Sequence, residues 1–424
     1  MAYKIKEVTI EGFWGRHNIN SKFFDNVNIF IGQNGSGKTT FISILQSIFE
    51  VDIERLYNLQ FEKVTLKLYK GKSNIKLQVT KVAENLEYKE IVFQIGTTKY
   101  PLPYISATID YRRSGRIHPQ LRRRIEELKD RMSQLIDLSY LSVHRGAIDT
   151  DERERHSRKL NLVDIRLSKL NQKFARYQWE LESKMNSLSR QFQKDVLKLM
   201  LFNEEHDIIE INKKREFDSE KAKVGLRQAF RDLKVYDTEI KEKIDKHIVK
   251  VSNAVEAVNN FNDKKESGLG INDITPLTLV SKSNKIVNLS KKMEIDKNEI
   301  LEPINQYLKL LGSFIDGKTF DITKDERGGL NVYKDDESFP LDQLSSGEKQ
   351  LIILFTEALL QRKRTCIFIA DEPELSLHIS WQQKIIPSVN MINPNAQLIV
   401  ATHSPEVVGK YRDSLINMKD IING

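Results

Sequence analysis

Ile5, Val8 and Ile10 alternate approximately with polar neighbours between Tyr3 and Phe13, and the apolar run Val27 to Ile31 follows as a buried-type strand. Val64, Leu66 and Leu68 repeat with period two, as do Ile75, Leu77 and Val79, then Ile91 and Phe93. The polar stretches Lys70 to Asn74 and Ala83 to Tyr88 separate these runs. Period-two segments this close together predict an antiparallel meander, so the first hundred residues read as a sheet lobe.

The period changes after Pro119, beyond which no proline occurs until Pro276. Leu167, Leu170, Phe174, Tyr177, Leu181, Met185, Leu188, Phe192, Val196 and Leu199 step by threes and fours, which predicts a helix packed along a partner. The polar break Asn203 to Asp218 and a second helical stretch, roughly Glu220 to Asn262, allow the two to fold back as an antiparallel pair. Two helices of ~40 residues would form an arm of about 60 Å at about 1.5 Å per residue. A third helix is expected at about Lys297 to Phe314. The apolar seam reads as packing within a helical domain rather than as a ligand groove.

Strands return in the last third. Leu351 to Leu360 is a strongly apolar helix, and Ile367 to Ala370 and Leu398 to Ala401 are short apolar strands. The division predicted is residues 1–110 as the first half of an α/β head, 111–314 as a helical or coiled-coil insertion, and 315–424 as the second half. The head is expected to hold a mixed sheet with an antiparallel lobe.

A chain of 424 residues exceeds what one core usually serves. No run of 18 apolar residues exists, and the first residues carry strand alternation rather than a signal sequence, so no membrane partner is expected and a cytoplasmic location is. Cys366, the single cysteine, sits inside an apolar run and implies no disulfide chemistry, and the eight histidines lack ligand spacing. The net charge of +8 is compatible with nucleic acid but does not require it. Arg112, Arg113, Arg116, Arg122, Arg123 and Arg124 are concentrated at the root of the insertion; they read either as phosphate contacts or as a solvated face beside Glu126, Glu127 and Asp130.

Chemistry is concentrated at four places. Gly32 to Thr40 reads Gly-Gln-Asn-Gly-Ser-Gly-Lys-Thr-Thr, the full GxxxxGK[ST] pattern between a buried-type strand and an apolar helix. Gly32, Asn34, Gly35, Ser36, Gly37, Lys38, Thr39 and Thr40 are the candidate nucleotide-binding residues: glycines bring N–H groups to phosphate oxygens, Lys38 supplies positive charge, and the Thr39 hydroxyl is placed for Mg²⁺. Ser345, Ser346, Gly347 and Glu348 open the helix before Leu351 and form either a second anion site or ordinary capping chemistry. Asp371 and Glu372 end an apolar strand, one placed to support Mg²⁺ and the other to accept a proton from an attacking water. His403 ends the next apolar strand and reads as a γ-phosphate sensor.

The order GQNGSGKT, LSSGEKQ, IFIADEPE, VATHS resembles the ATP-binding-cassette ATPases of the branch containing Rad50, RecF, the chromosome-organising proteins and the OLD-type ATPases. The resemblance covers about residues 1–110 and 315–424. It implies an Mg²⁺-dependent ATPase with ATP and Mg²⁺ as cofactors, Thr39 and Asp371 on the metal, Glu372 as catalytic base and His403 as switch histidine. It further implies that the signature Ser345 to Glu348 acts in trans, on ATP held by a second copy, so that nucleotide joins two heads. Ser346 departs from the usual LSGGQ pattern, and Tyr140 to Arg145 is only a positional candidate for the Mg²⁺-sensing glutamine.

Asp371-Glu-Pro-Glu374 followed by Leu377-His378 looks like the DEPExxLH form of OLD-type and phage-defence ATPases. No acidic cluster or HNH-like pair is read outside the cassette, and that architecture and the Gly12-Phe-Trp-Gly15 opening are similar to the standalone ATPase subunits of PARIS and Septu. That likeness implies a sensor or scaffold of anti-phage defence that forms homo-oligomers, answers a phage protein, and holds or activates a separate effector, a Toprim or HNH nuclease. The alternative is a RecF- or Rad50-like ATPase that binds DNA through the arginine cluster in repair or maintenance.

Overall fold

The computed structural model describes residues 2–84, 88–104, 119–142, 162–199, 201, 217–264, 275–322 and 328–423. The chain divides into two compact units, residues 1–175 with 304–424, and residues 176–303.

The first unit contains two large sheets. Strands β1 (Lys4–Phe13), β2 (His17–Lys22), β4 (Lys63–Lys70), β5 (Ser73–Glu84), β6 (Tyr88–Ile95) and β7 (Thr98–Tyr104), with the short β15 (Ile422–Asn423), form a seven-stranded antiparallel sheet. Its inward positions, among them Val8, Ile10, Val64, Leu66, Leu77, Val79 and Phe93, are fully buried, which is the outcome of the period-two alternation. The second sheet is entirely parallel, in the order β14 (Leu415–Asn417), β3 (Val27–Ile31), β13 (Gln397–Ala401), β12 (Ile367–Asp371) and β8 (Leu138–Ser142). Every residue of β12 and β13 is buried, as expected of strands covered on both faces. Helix α1 (Lys38–Glu50) packs Phe41, Ile44, Leu45 and Ile48 into the core these sheets share.

The expected α/β head with an antiparallel lobe is present, its mixed sheet resolved into an antiparallel and a parallel sheet. Gln397 joins them. Ile5 stands opposite Leu68 of β4 just before a register shift in β1, and it lies beyond the β1–β2 pairing, which begins at Glu7. The buried Gln397 carboxamide accepts from Ile5 N at 2.7 Å and donates to Ile5 O at 2.7 Å and to Phe24 O at 2.9 Å.

Two elements expected within the insertion belong to this unit. Helix α3 (Pro119–Leu135) buries Leu128, Met132 and Leu135 in the main core, and β8 pairs in parallel with β12. The unit also contains a three-stranded meander, β9 (Thr319–Ile322), β10 (Leu330–Lys334) and β11 (Glu337–Phe339), and the start of helix α4 (Leu162–Leu199). The head therefore extends past residue 110, to 175, and resumes at 304 rather than 315.

The second unit is helical. It contains the rest of α4, then α5 (Ser219–Asp232), α6 (Thr238–Lys264) and the first part of α7 (Leu277–Phe314). The stretch expected as one helix from Glu220 to Asn262 is broken at Lys234, which takes a φ of 61°, and Asp237 caps the following helix by accepting from Ile240 N at 2.7 Å. The third helix begins some twenty residues earlier than expected, at Leu277. Ala222, Gly225 and Ala229 line one face of α5; a Cβ on Gly225 would stand 2.4 Å from Val287 Cγ1, so glycine permits the close approach of α7. Leu226, Ile244, Ile248 and Val287 fill the space between them, and Arg227 is paired with Asp245 at 2.7 Å. Among the described residues no helix is long and apolar enough to cross a membrane.

Candidate functional site

Strands β3, β12 and β13 run in the same direction, so the residues just past their ends meet at one edge of the parallel sheet. From β3 come Gly32 to Thr40, from β12 Asp371 and Glu372, and from β13 His403.

The phosphate loop turns the chain from the end of β3 into α1. Gly37 takes a φ of 95°, and a Cβ there would stand 3.0 Å from the Phe13 ring and 3.2 Å from the Trp14 ring, so both backbone and neighbours demand glycine. It caps α1, whose first N–H groups have no partner in the helix and face the loop. The buried Ser36 hydroxyl has no hydrogen-bond partner among the described residues, while Asn34 and Gly35 are exposed and Thr40 is half-buried. Lys38 is only 4% exposed. Its Nζ donates to Gly32 O at 2.9 Å and to Gln33 O at 3.3 Å, and lies 3.3 Å from His403 Nδ1. Burial pulls the Lys38 pKa below the ordinary ammonium value, against the opposing pull of the Glu372, Asp371 and Glu374 carboxylates.

Thr39 Oγ1 stands 3.5 Å from Asp371 Oδ1. Two hard oxygens on the first turn of α1 and at the end of β12 suit Mg²⁺, an ion that takes one or two protein ligands and completes its shell with phosphate oxygens and water. Among the described residues no group of three His, Cys, Asp or Glu side chains is arranged for another metal. The uncommitted Ser36 hydroxyl, the free N–H groups of α1 and this oxygen pair fit a magnesium nucleotide.

Glu372 has a φ of 49°, a left-handed conformation costly for a glutamate. Its N–H donates to Ala401 O at 2.8 Å, which holds it against the end of β13. His403 Nε2 lies 3.4 Å from Glu372 Oε1, and both side chains are partly exposed. The structure thus brings Lys38, Thr39, Asp371, Glu372 and His403 together.

The residues Ser345 to Glu348 stand apart in chemistry. Ser345 and Glu348 form a capping box on helix α8 (Ser346–Leu360): Glu348 N donates to Ser345 Oγ at 3.3 Å, and Ser345 N donates to Glu348 Oε2 at 2.8 Å. Glu348 is also paired with Lys318 at 2.6 Å, and these contacts hold its carboxyl below the usual range despite burial. Its carboxylate is therefore committed within its own chain, while Ser345 and Ser346 are exposed. Gly347 is buried, and a Cβ on it would stand 2.6 Å from Ser376 O, so the start of α8 lies tightly on the turn after Glu372. Gln350 reinforces this by donating to Pro373 O at 3.0 Å.

Residue-level reading overlooked two contributors. Gln350 lies inside the motif quoted for the signature, yet its tie to Pro373 has no sequence mark. Glu374, noted only as part of the DEPExxLH likeness, is buried and accepts from Thr402 Oγ1 and from His403 N at 3.1 Å. His378 of the same motif caps helix α9 (Ile379–Ile392), accepting from Ser380 N at 3.3 Å. Ser142, the last residue of β8, is in register with Asp371, so that strand reaches the same edge; Val143 to Arg145 of the Mg²⁺-sensor candidate lie outside the described residues. Arg112, Arg113 and Arg116 also lie outside them, while Arg122 and Arg123 form exposed ion pairs with Glu126 and Glu127 at 3.1 and 3.2 Å.

A family model described as an AAA ATPase domain matches residues 3–408. Among curated proteins, the Retron Ec83 probable ATPase of Escherichia coli is 38% identical over 108 residues, covering 22% of this chain and 20% of that protein. The Retron Vc95 probable ATPase of Vibrio cholerae serotype O1 biovar El Tor is 30% identical over 140 residues, covering 28% of this chain and 26% of that protein. The chain thus spans only about a fifth to a quarter of these relatives. Among solved structures, an Smc head domain with an extended coiled coil from Pyrococcus furiosus, bound to the C-terminal domain of ScpA, aligns over 98% of this chain and 93% of its own at 11% identity, with a TM-score of 0.44. An Smc head domain with a coiled coil and joint from Pyrococcus yayanosii aligns over 98% and 95% at 12% identity, with a TM-score of 0.41.

Proposed function

Because the chain belongs to the AAA ATPase domain family, we propose that it binds ATP with Mg²⁺ at the sheet edge and hydrolyses it to ADP and phosphate. The observation that carries this reading is the convergence of Lys38, Thr39, Asp371, Glu372 and His403 from three parallel strands on one edge. In the proposed step a water oxygen bonds to the γ phosphorus as the bond from that phosphorus to the ADP oxygen breaks. The water proton passes to the Glu372 carboxylate, and the electron pair of the broken bond leaves with ADP. Lys38 stabilises negative charge on the phosphate oxygens, and His403 bridges the base and that lysine. Mg²⁺, held by Thr39 and Asp371, would supply further positive charge at the phosphates. Phosphate release that requires Mg²⁺ and is lost in Lys38→Ala tests this reading; release unchanged by that substitution contradicts it.

The biological setting we infer is anti-phage defence, in which two nucleotide-bound heads associate and the assembly senses a phage protein and holds or activates a separate Toprim or HNH nuclease. The DEPExxLH form, the likeness to retron ATPases and the exposure of Ser345 and Ser346 for contact with a second copy support it. Co-purification with the product of a neighbouring gene, and loss of phage protection on deletion, are the expected results. The alternative is a RecF- or Rad50-like DNA-maintenance ATPase. It predicts salt-sensitive DNA binding weakened by alanine at Arg122, Arg123 and Arg124; the exposed ion pairs of Arg122 and Arg123 favour the first reading.

A further inference from the structure

Glu374 is a carboxylate with no part in the hydrolytic step, yet it is 8% exposed at the centre of the site. Burying a charge this way is costly unless it is paired or hydrogen-bonded. Among the described residues its hydrogen bonding is on one oxygen: Oε1 accepts from the Thr402 hydroxyl and from His403 N at 3.1 Å, whereas Oε2 is buried with no partner among them. Thr402 is fully buried, and its Oγ1 also accepts from Ser404 N at 2.9 Å, so three consecutive residues at the end of β13 are organised around this carboxylate.

The other end of the connection is equally fixed. Glu374 lies two residues after Glu372, on a turn held by Glu372 N donating to Ala401 O at 2.8 Å and by Gln350 donating to Pro373 O at 3.0 Å. The base and the histidine thus stand on adjacent strand ends, and the Glu374 carboxylate ties the turn after the base to Thr402 and His403.

We propose that Glu374 is a positioning residue for hydrolysis: by accepting from Thr402 and His403 it fixes the His403 imidazole between Lys38 and Glu372. The inference rests on the reading of this edge as an ATP-hydrolysing site. Glu374 acts through His403, whose backbone N–H it accepts from. Displacement of a reacting group by about 1 Å can cost on the order of 10²-fold in rate, so the effect falls on turnover rather than on nucleotide binding.

The test is steady-state phosphate release by the full chain, comparing wild type with Glu374→Ala, Glu374→Gln and Thr402→Val. Glu374→Ala is expected to lower kcat on the order of 10- to 100-fold while KM for ATP stays within about threefold. Glu374→Gln keeps an acceptor oxygen for both donors and is expected to recover kcat to within about threefold of wild type, at a lower melting temperature from the amide left buried. Thr402→Val, which removes one donor, is expected to fall between them and decides the matter with Glu374→Gln if the alanine variant does not fold. Glu374→Ala within twofold of wild type, a KM that rises in step with the loss of kcat, or a glutamine variant no better than alanine overturns the inference alone. A wild-type protein that releases no phosphate overturns the reading of the site and this inference with it.

Discussion

His403 stands between Lys38 and Glu372, with Nδ1 3.3 Å from the lysine Nζ and Nε2 3.4 Å from the glutamate Oε1. A neutral imidazole with its proton on Nε2 satisfies both contacts, because the ammonium can only donate and the carboxylate can only accept. The ring therefore bridges the phosphate-loop cation and the proposed base. Replacing it by alanine is expected to reduce kcat for phosphate release on the order of 10²-fold, with nucleotide affinity within about threefold of wild type, in a comparison of turnover with equilibrium nucleotide titration.

The tie between the two sheets yields a stability prediction. Gln397→Leu fills similar volume but leaves the buried Ile5 N–H and C=O without the carboxamide that satisfies them. The cost is expected to be about 3 kcal/mol, a sum of two unmet backbone groups at roughly 1–3 kcal/mol each, measured by denaturant unfolding.

A pH dependence is expected from the helical unit. His247 is half-buried, its Nε2 lies 2.9 Å from Ser283 Oγ, and burial holds its pKa below the ordinary 6.5. The unfolded chain therefore binds this proton more readily than the folded one. The contribution of neutral His247 is full above about pH 6.5 and is lost as pH falls through the depressed folded value. Thermal unfolding followed from pH 7.5 to 5 should show a decline that is smaller in His247→Gln.

Much of the site was legible because its chemistry needs contiguous residues. A loop that wraps phosphate requires glycine at positions such as Gly37, and the buried strands run apolar from Ile367 and from Leu398 until Asp371 or Thr402 breaks the run. What could not be read depends on contacts distant in sequence. Strand β8 is a short Leu-Ser-Tyr-Leu-Ser segment whose identity comes from pairing with β12 far along the chain. The break between α5 and α6 contains neither glycine nor proline, and Asp237 is its only local mark. Glu348 illustrates a third difficulty: Ser-x-x-Glu is the same string whether it serves a nucleotide or caps its own helix, and the string carries no mark of the ion pair with the distant Lys318.

The central claim, a hydrolytic site that uses Glu372 as base and is completed by a second copy, is tested most directly with Glu372→Gln. The substitution removes the proton acceptor and leaves Lys38, Thr39 and Asp371 in place. Light scattering of this variant with ATP and Mg²⁺ should show a nucleotide-dependent shift to at least twice the protomer mass of 49.3 kDa, with phosphate release reduced on the order of 10²-fold or more and no such shift in Lys38→Ala. A variant that hydrolyses ATP at the wild-type rate, or whose mass is the same with and without nucleotide, contradicts the account.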